Sequence, residues 1–245
     1  MTELQTSLSK CKIEGNILFL PPISDGALAN YNEVRTALLN AGAKYKRNTF
    51  VFPNDAQPYI DRLMGGDKVN IKQEFQFFGT PAKLADELVS RADVKKNHKI
   101  LEPSAGQGAI VDAIVREVPS IWVDCCELMD INANILAKHS NVHFICEDFL
   151  KMPKQYDGYY DRIIANPPFN KNQDIDHIRK MFECLKKGGR LVSIASKSWS
   201  FGSQKKQVAF REWLDEVGAT TEEIENGAFK ESGTTVGGFI IVIDK

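Results

Sequence analysis

The residues best placed to do chemistry stand four in a row, Asn166-Pro167-Pro168-Phe169, directly after an apolar run that ends at Ala165. Two prolines fix the backbone of this segment, so the groups it offers are preorganised. The amide oxygen of Asn166 and the backbone carbonyl of Pro167 can each accept one hydrogen from an amino group. A planar amino group is a poor nucleophile because its lone pair is delocalised. Two acceptors favour its pyramidal form and aim the lone pair. Phe169 can stack on a flat partner and hold it in line for attack. Such chemistry requires neither a metal nor a strong base. Taken alone, the plain alternative is a proline turn leaving a strand, with Phe169 packed in a core.

Other polar residues fall at matching places. Glu102-Pro103-Ser104-Ala105-Gly106-Gln107-Gly108 follows an apolar run, and Gly106 and Gly108 would let backbone approach a ligand before a helix begins. The three-glycine dinucleotide fingerprint is not met, and a tight strand-to-helix turn explains two glycines as well. Glu127 ends the next apolar run, close to where an acidic side chain grips paired ribose hydroxyls. Asp148-Phe149 follows the third and offers an acceptor for an adenine amino group beside a ring that can cover a base; Asp148 could equally cap a turn.

These residues need a frame that brings strand ends together. From about residue 75 the pattern alternates strands with amphipathic helices, the sign of a mostly parallel sheet covered on both faces. Strands are expected at 99–102, 122–127, 142–146, 162–165 and 190–195, with two final strands at 220–225 and 238–243. Thr80 is expected to cap a helix with Pro81 at its first position. Gly188-Gly189 and Gly218 are expected to close the last two helices. In such a doubly wound sheet, ligands sit beyond the carboxyl ends of the strands.

Upstream lies a smaller pattern: a strand at 17–20, a helix over 25–40, a hairpin at 44–52 turning at Arg47-Asn48, and a helical stretch from about Asn54 to Met64-Gly65-Gly66-Asp67. The expected division is a small α+β unit at 1–70 and the α/β domain at 71–245.

Residues 75–245 resemble the class I methyltransferase fold, and specifically the amino-methyltransferases whose signature is Asn/Asp-Pro-Pro-Tyr/Phe. The resemblance implies a Rossmann-like, mostly parallel seven-stranded sheet with helices on both faces, and S-adenosylmethionine as cofactor. It assigns the methionine part of that cofactor to Phe77-Phe78-Gly79-Thr80-Pro81 and to Glu102, Ser104, Ala105, Gly106 and Gly108. Glu127 goes to the ribose, Asp148 and Phe149 to the adenine, and Asn166, Pro167 and Phe169 to the substrate amino group, with Asn166 also beside the cofactor. Relatives place a second aromatic before the last strand against an extruded base, and Phe229 stands there, with core packing as its equal alternative.

The implied substrate is adenine in DNA, as in phage-like enzymes without a large recognition region, since too little chain surrounds the signature to hold one. The same signature serves RNA adenine methyltransferases and enzymes acting on a protein glutamine amide. A catalytically silent nucleic-acid-binding or antirestriction protein is the alternative of another class. With 31 Lys plus Arg against 32 Asp plus Glu, no global basic field attracts a polyanion, so nucleic-acid contact must be local. Lys171 with Lys197, Trp199, Lys205 and Lys206 forms the expected rim, although most such clusters are solvated surface. Five cysteines without C-x-x-C spacing indicate neither a metal site nor a disulfide framework and suit a reduced, cytoplasmic compartment. No apolar run approaches the roughly 20 residues that span a bilayer.

Overall fold

The computed structural model describes the chain except for residues 23, 25–27, 53–54, 68, 70–78 and 228–236, with backbone alone at Ile131. By its internal contacts the chain divides into Met1–Gln76 and Phe77–Lys245.

The first unit begins with helix α1 (Glu3–Leu8), whose Thr2 and Gln5 form a reciprocal capping box. Strands β1 (Lys12–Glu14), β2 (Ile17–Phe19), β3 (Lys44–Lys46) and β4 (Thr49–Val51) form an antiparallel sheet in the order β1-β2-β4-β3. The hairpin turns at Arg47 and Asn48, both at positive φ (47° and 65°), the pairing whose twist suits a two-residue loop. Helices α2 (Tyr31–Asn40) and α3 (Gln57–Met64) complete the unit, whose core includes Leu18, Val34, Leu38, Phe50 and Tyr59. Helix α2 starts at Tyr31, after a turn at Ala29 and Asn30; residues 25–27 of the expected helix lie outside the described residues. The Asn30 side chain is tied to Ser7 (2.6 Å) and Glu33 (2.9 Å), which fixes the entry to the helix.

The second unit opens with α4 (Ala82–Ala92), then β5 (Ile100–Glu102), α5 (Ala109–Glu117), β6 (Val123–Cys126), α6 (Asp130–Leu136), β7 (Val142–Cys146) and β8 (Tyr160–Ala165). It continues with α7 (Gln173–Cys184), β9 (Leu185–Ser196), the single turn α8 (Ser198–Phe201), α9 (Lys205–Glu216), β10 (Thr220–Ile224) and β11 (Gly238–Asp244). The strand order is β10-β11-β9-β8-β5-β6-β7, with β11 antiparallel to both its neighbours and the remaining pairs parallel. This is the expected class I, Rossmann-like α/β fold.

Consecutive residues of the central strands point to opposite faces, and both faces are apolar because helices cover both. Ile100, Ile164, Val192 and Ile240 pack with α4 and α5, while Leu101, Ile163, Leu191 and Ile241 pack with α7 and α9. The two edges differ: β10 exposes Thr220 to Glu223, whereas β7 carries the partly exposed sequence Val142–Cys146, which contains no acidic residue and no lysine.

Two expected helix boundaries are corrected. Pro81 itself is the residue flanking α4, and no side chain caps that helix; the Thr80 hydroxyl accepts from Asn166 Nδ2 instead. Gly188-Gly189 does not close a helix: α7 already ends at Cys184, and both glycines lie within β9, in the register offset that faces β8 between Tyr160 and Arg162. A Cβ on Gly189 would come within 2.8 Å of the Leu185 side chain, so the close turn of this segment explains the residue. Gly218, at φ 66°, does follow the end of α9. Among the described residues no helix is long and apolar enough to cross a membrane.

Candidate active site

Because β5 to β9 run parallel, the residues that follow them gather at one end of the sheet. After β5, Gly106 and Gly108 both adopt positive φ (55° and 88°), which lets the chain turn straight into α5. The turn is sewn to the neighbouring strand: the Ala105 N–H donates to the Cys126 carbonyl (3.0 Å), and the Gly106 N–H donates to Glu127 Oε2 (2.7 Å). Ser104 is half-buried and Ala105 buried in this turn. Glu127 Oε1 accepts from the Met129 N–H (2.8 Å) and from Asn132 Nδ2 (3.4 Å). Asn132, only 1% exposed, escaped the sequence reading; its place on the first turn of α6 beside a strand-end glutamate was the available signal.

Glu102 and Glu127 are both buried, and Glu102 Oε2 has no partner among the described residues. Burial pushes the Glu102 carboxyl well above the usual carboxylate range, and the charge of Glu127 pushes it further. Burial also raises Glu127, against the lowering effect of the Met129 and Gly106 N–H groups. Two carboxylates facing a glycine turn fit a ligand that is cationic and rich in hydroxyl and ammonium donors. S-adenosylmethionine, with its ribose diol, ammonium and sulfonium, has that character.

Asp148 caps the short turn Phe149–Lys151, accepting from the Leu150 N–H (3.1 Å), and pairs with Lys151 Nζ (3.0 Å). The expectation for Phe149 is corrected: it is 2% exposed, its ring 5.7 Å from that of His177 in the core, where it cannot cover a base.

Asn166 emerges from β8 half-buried, and its Nδ2 donates to Thr80 Oγ1 at 3.1 Å. The bond ties Asn166 to the segment that leads into α4. Pro167 is buried, and Phe169 is partly buried against the core that includes α4 and α5. Thr80, expected to touch the cofactor, is thus placed on Asn166.

Beyond Phe169 the chain turns through Lys171 and Asn172, both left-handed (φ 53° and 56°). Asparagine tolerates that region; lysine is strained in it. Asn172 is held on several sides: Nδ2 donates to Gln204 Oε1 (3.0 Å), and Oδ1 accepts from Ser198 Oγ (2.9 Å) and Gln207 Nε2 (3.3 Å). Below it, the fully buried Asp174 accepts from the Ser196 N–H (2.8 Å), and burial raises its carboxyl. This network, linking the signature to the loop after β9, escaped the sequence reading because its members lie about 30 residues apart and join only on folding.

The expected basic rim is partly corrected. Lys197 pairs with Glu223 and Lys206 with Asp176, so these ammonium groups already have counter-charges. Trp199 is 6% exposed, packed against Phe210 and Phe239. Lys171 and Lys205 are exposed, and no carboxylate among the described residues pairs with them. Phe78 and Phe229 lie outside the described residues. Among those described, no group of three or more His, Cys, Asp and Glu is arranged to hold a metal ion.

Comparison with known proteins agrees with this frame. Residues 83–226 match the family model described as the methyltransferase small domain. The chain is 30% identical over 86 residues to a release factor glutamine methyltransferase of Prochlorococcus marinus, a match covering 32% of this chain and 29% of that protein, so it spans less than a third of that relative's length. Among solved structures it resembles TrmN of Thermus thermophilus (TM-score 0.51, 21% identity, 68% of this chain and 50% of that one). It also resembles a modification subunit of a putative type I restriction enzyme from Vibrio vulnificus (TM-score 0.55, 14% identity, 76% and 48%). At these identities the two structures show the fold alone. The chain belongs to the methyltransferase small domain family.

Proposed function

We propose that the protein methylates the exocyclic amino group of adenine in DNA, with short or no sequence specificity. The observation that carries this reading is the Asn166 amide, held by Thr80 at the end of β8 and followed by a buried proline and a half-buried phenylalanine. S-adenosylmethionine supplies the electrophilic methyl group. The chain supplies the positioning. Glu127 holds the ribose hydroxyls, Asp148 the adenine amino group, and the turn from Glu102 to Gly108 the methionine part. Asn166 offers its amide oxygen to one hydrogen of the substrate amino group, while the Pro167 carbonyl takes the other. The lone pair is thereby raised out of the ring plane. Phe169 stacks on the base, and the nitrogen sheds its extra proton to solvent after transfer. The exposed Lys171 and Lys205 suit phosphates flanking an extruded nucleotide. The first unit, with the exposed strand Lys44–Lys46 and Arg47 at its turn, is assigned to reading the duplex.

A second reading, transfer to a glutamine side-chain amide, is favoured by the sequence match to the Prochlorococcus enzyme. That nitrogen is also planar and delocalised, so Asn166 would serve it equally. Incubation with radiolabelled cofactor and, separately, unmethylated duplex DNA, single-stranded DNA, ribosomal RNA and cell lysate, followed by digestion, tests the choice. N6-methyladenine from DNA is expected; label confined to protein or to RNA would overturn DNA as the substrate.

A further inference from the structure

The loop after β9 holds an aromatic ring that the fold does not use. In the single turn α8, Trp199 points into the core while Phe201 is 78% exposed, the most exposed aromatic ring among the described residues. Leaving a phenylalanine in water forgoes the stabilisation that its burial would bring. A lone exposed apolar side chain is ordinary by itself. This one is mounted on a fixed base. Arg211 Nη1 donates to the carbonyls of Trp199 and Gly202 (2.9 Å to the latter), and the Gly202 N–H closes the turn on the Ser198 carbonyl (2.9 Å). The Gln207 amide occupies the space where a side chain on Gly202 would stand.

The base is also joined to the signature. Ser198, at the other end of the same turn, donates to Asn172, three residues beyond Phe169, and Asn172 in turn donates to Gln204. Its neighbours in the chain are Ser200, Gly202 and Ser203; Lys205, four residues on, is exposed, as is Lys171, which precedes Asn172. The local carboxylates Asp176 and Glu223 are neutralised by Lys206 and Lys197. An exposed ring on a turn that hydrogen bonds join to the segments carrying two exposed cations complements a chain of flat bases joined by phosphates.

We propose that Phe201 is a stacking platform for a nucleobase of the substrate strand other than the methylated one, with Lys171 and Lys205 on the adjoining phosphates. The assignment rests on the nucleic-acid reading above. Sequence alone pointed to Trp199 for such a role; the turn of α8 gives it to Phe201.

The experiment measures fluorescence anisotropy of a fluorescein-labelled unmethylated duplex with the full chain, its Phe201→Ala and Phe201→Trp variants, and the double variant Lys171→Glu/Lys205→Glu. Calorimetry with S-adenosylmethionine runs beside it. Because Phe201 is exposed, its truncation leaves the core intact. Phe201→Ala should weaken duplex binding about tenfold and Phe201→Trp should restore it. The lysine variant should lower the slope of log affinity against log salt by roughly two. Cofactor affinity should stay unchanged throughout. If the unaltered protein binds and methylates DNA while Phe201→Ala does so equally well, the platform is disproved and the DNA reading stands. If the unaltered protein binds no nucleic acid and labels a protein, the DNA reading itself fails and the platform fails with it.

Discussion

The two sides of the strand ends are built by different means. On the proposed cofactor side, beyond β5, β6 and β7, each carboxylate has main-chain N–H donors: Glu127 has Gly106 and Met129, with Asn132 beside them, and Asp148 has Leu150, with Lys151 beside it. On the proposed substrate side, beyond β8 and β9, neutral side chains hold one another: Asn166 with Thr80, and Asn172 with Ser198, Gln204 and Gln207. Main-chain donors are set by the fold and cannot turn away, so they keep carboxylates in place for a donor-rich cation. An amide can flip end for end, and the partners around it select which end it presents. One side stores charge and the other stores orientation.

This contrast can be broken by variants on each side. Asn166→Ala should lower turnover by about a hundredfold or more while leaving cofactor affinity in calorimetry nearly unchanged, since its loss removes one of the two acceptors aimed at the reacting nitrogen. Glu127→Gln should do the reverse, weakening cofactor binding by roughly ten- to a hundredfold and sparing turnover at saturation, because charge-assisted hydrogen bonds are the stronger kind. If both variants damage the same parameter, the division of labour is wrong.

A smaller effect sharpens the orientation half. Thr80→Val keeps the shape and removes the hydroxyl, so turnover should fall about fivefold, and Thr80→Ser should recover most of it. A rise in the KM for the cofactor instead would return Thr80 to cofactor binding.

The charge half has a signature in pH. The Glu102 carboxyl is raised in the folded protein, so the fold binds a proton that the unfolded chain releases. Stability from this group is therefore full below the ordinary glutamate range and is lost as pH rises toward the raised value. Without cofactor, Glu102→Gln should melt a few degrees above the unaltered protein at neutral pH, with the gap closing on acidification. A gap that does not change with pH would assign the effect to packing.

The fold was legible because its signal is periodic. Strand β7 falls on the expected 142–146, and the neighbouring strands differ from expectation by a residue or two at most ends. The misreadings share one cause. Thr80, Gly188 and Gly189 carry strong local propensities, for a cap and for a helix stop, and each is overridden by a contact made only in the folded chain. The strand-end residues could be seen because a parallel sheet brings the ends of consecutive strands together whatever the side chains. Burial within a short turn could not: Phe149 and Trp199 look like ligand contacts in sequence and are core residues, while Phe201, two positions from Trp199, faces out. A single helical turn is too short for periodicity to choose a face.

The unequal edges of the sheet bear on how the protein fails when heated. The outer strand β10 carries charged side chains, Glu222 paired with Arg91 and Glu223 with Lys197, which discourage another strand from adding to it, whereas β7 offers an edge without acidic residues or lysines, with Phe144 39% exposed. Strand β7 also leads into Asp148. A molecule bound there would tie down the one flank prone to strand addition, so light scattering during heating should begin at a higher temperature with S-adenosylmethionine present. An onset unmoved by saturating cofactor would place the first sticky surface elsewhere. Clumping, on this view, starts where the cofactor leaves.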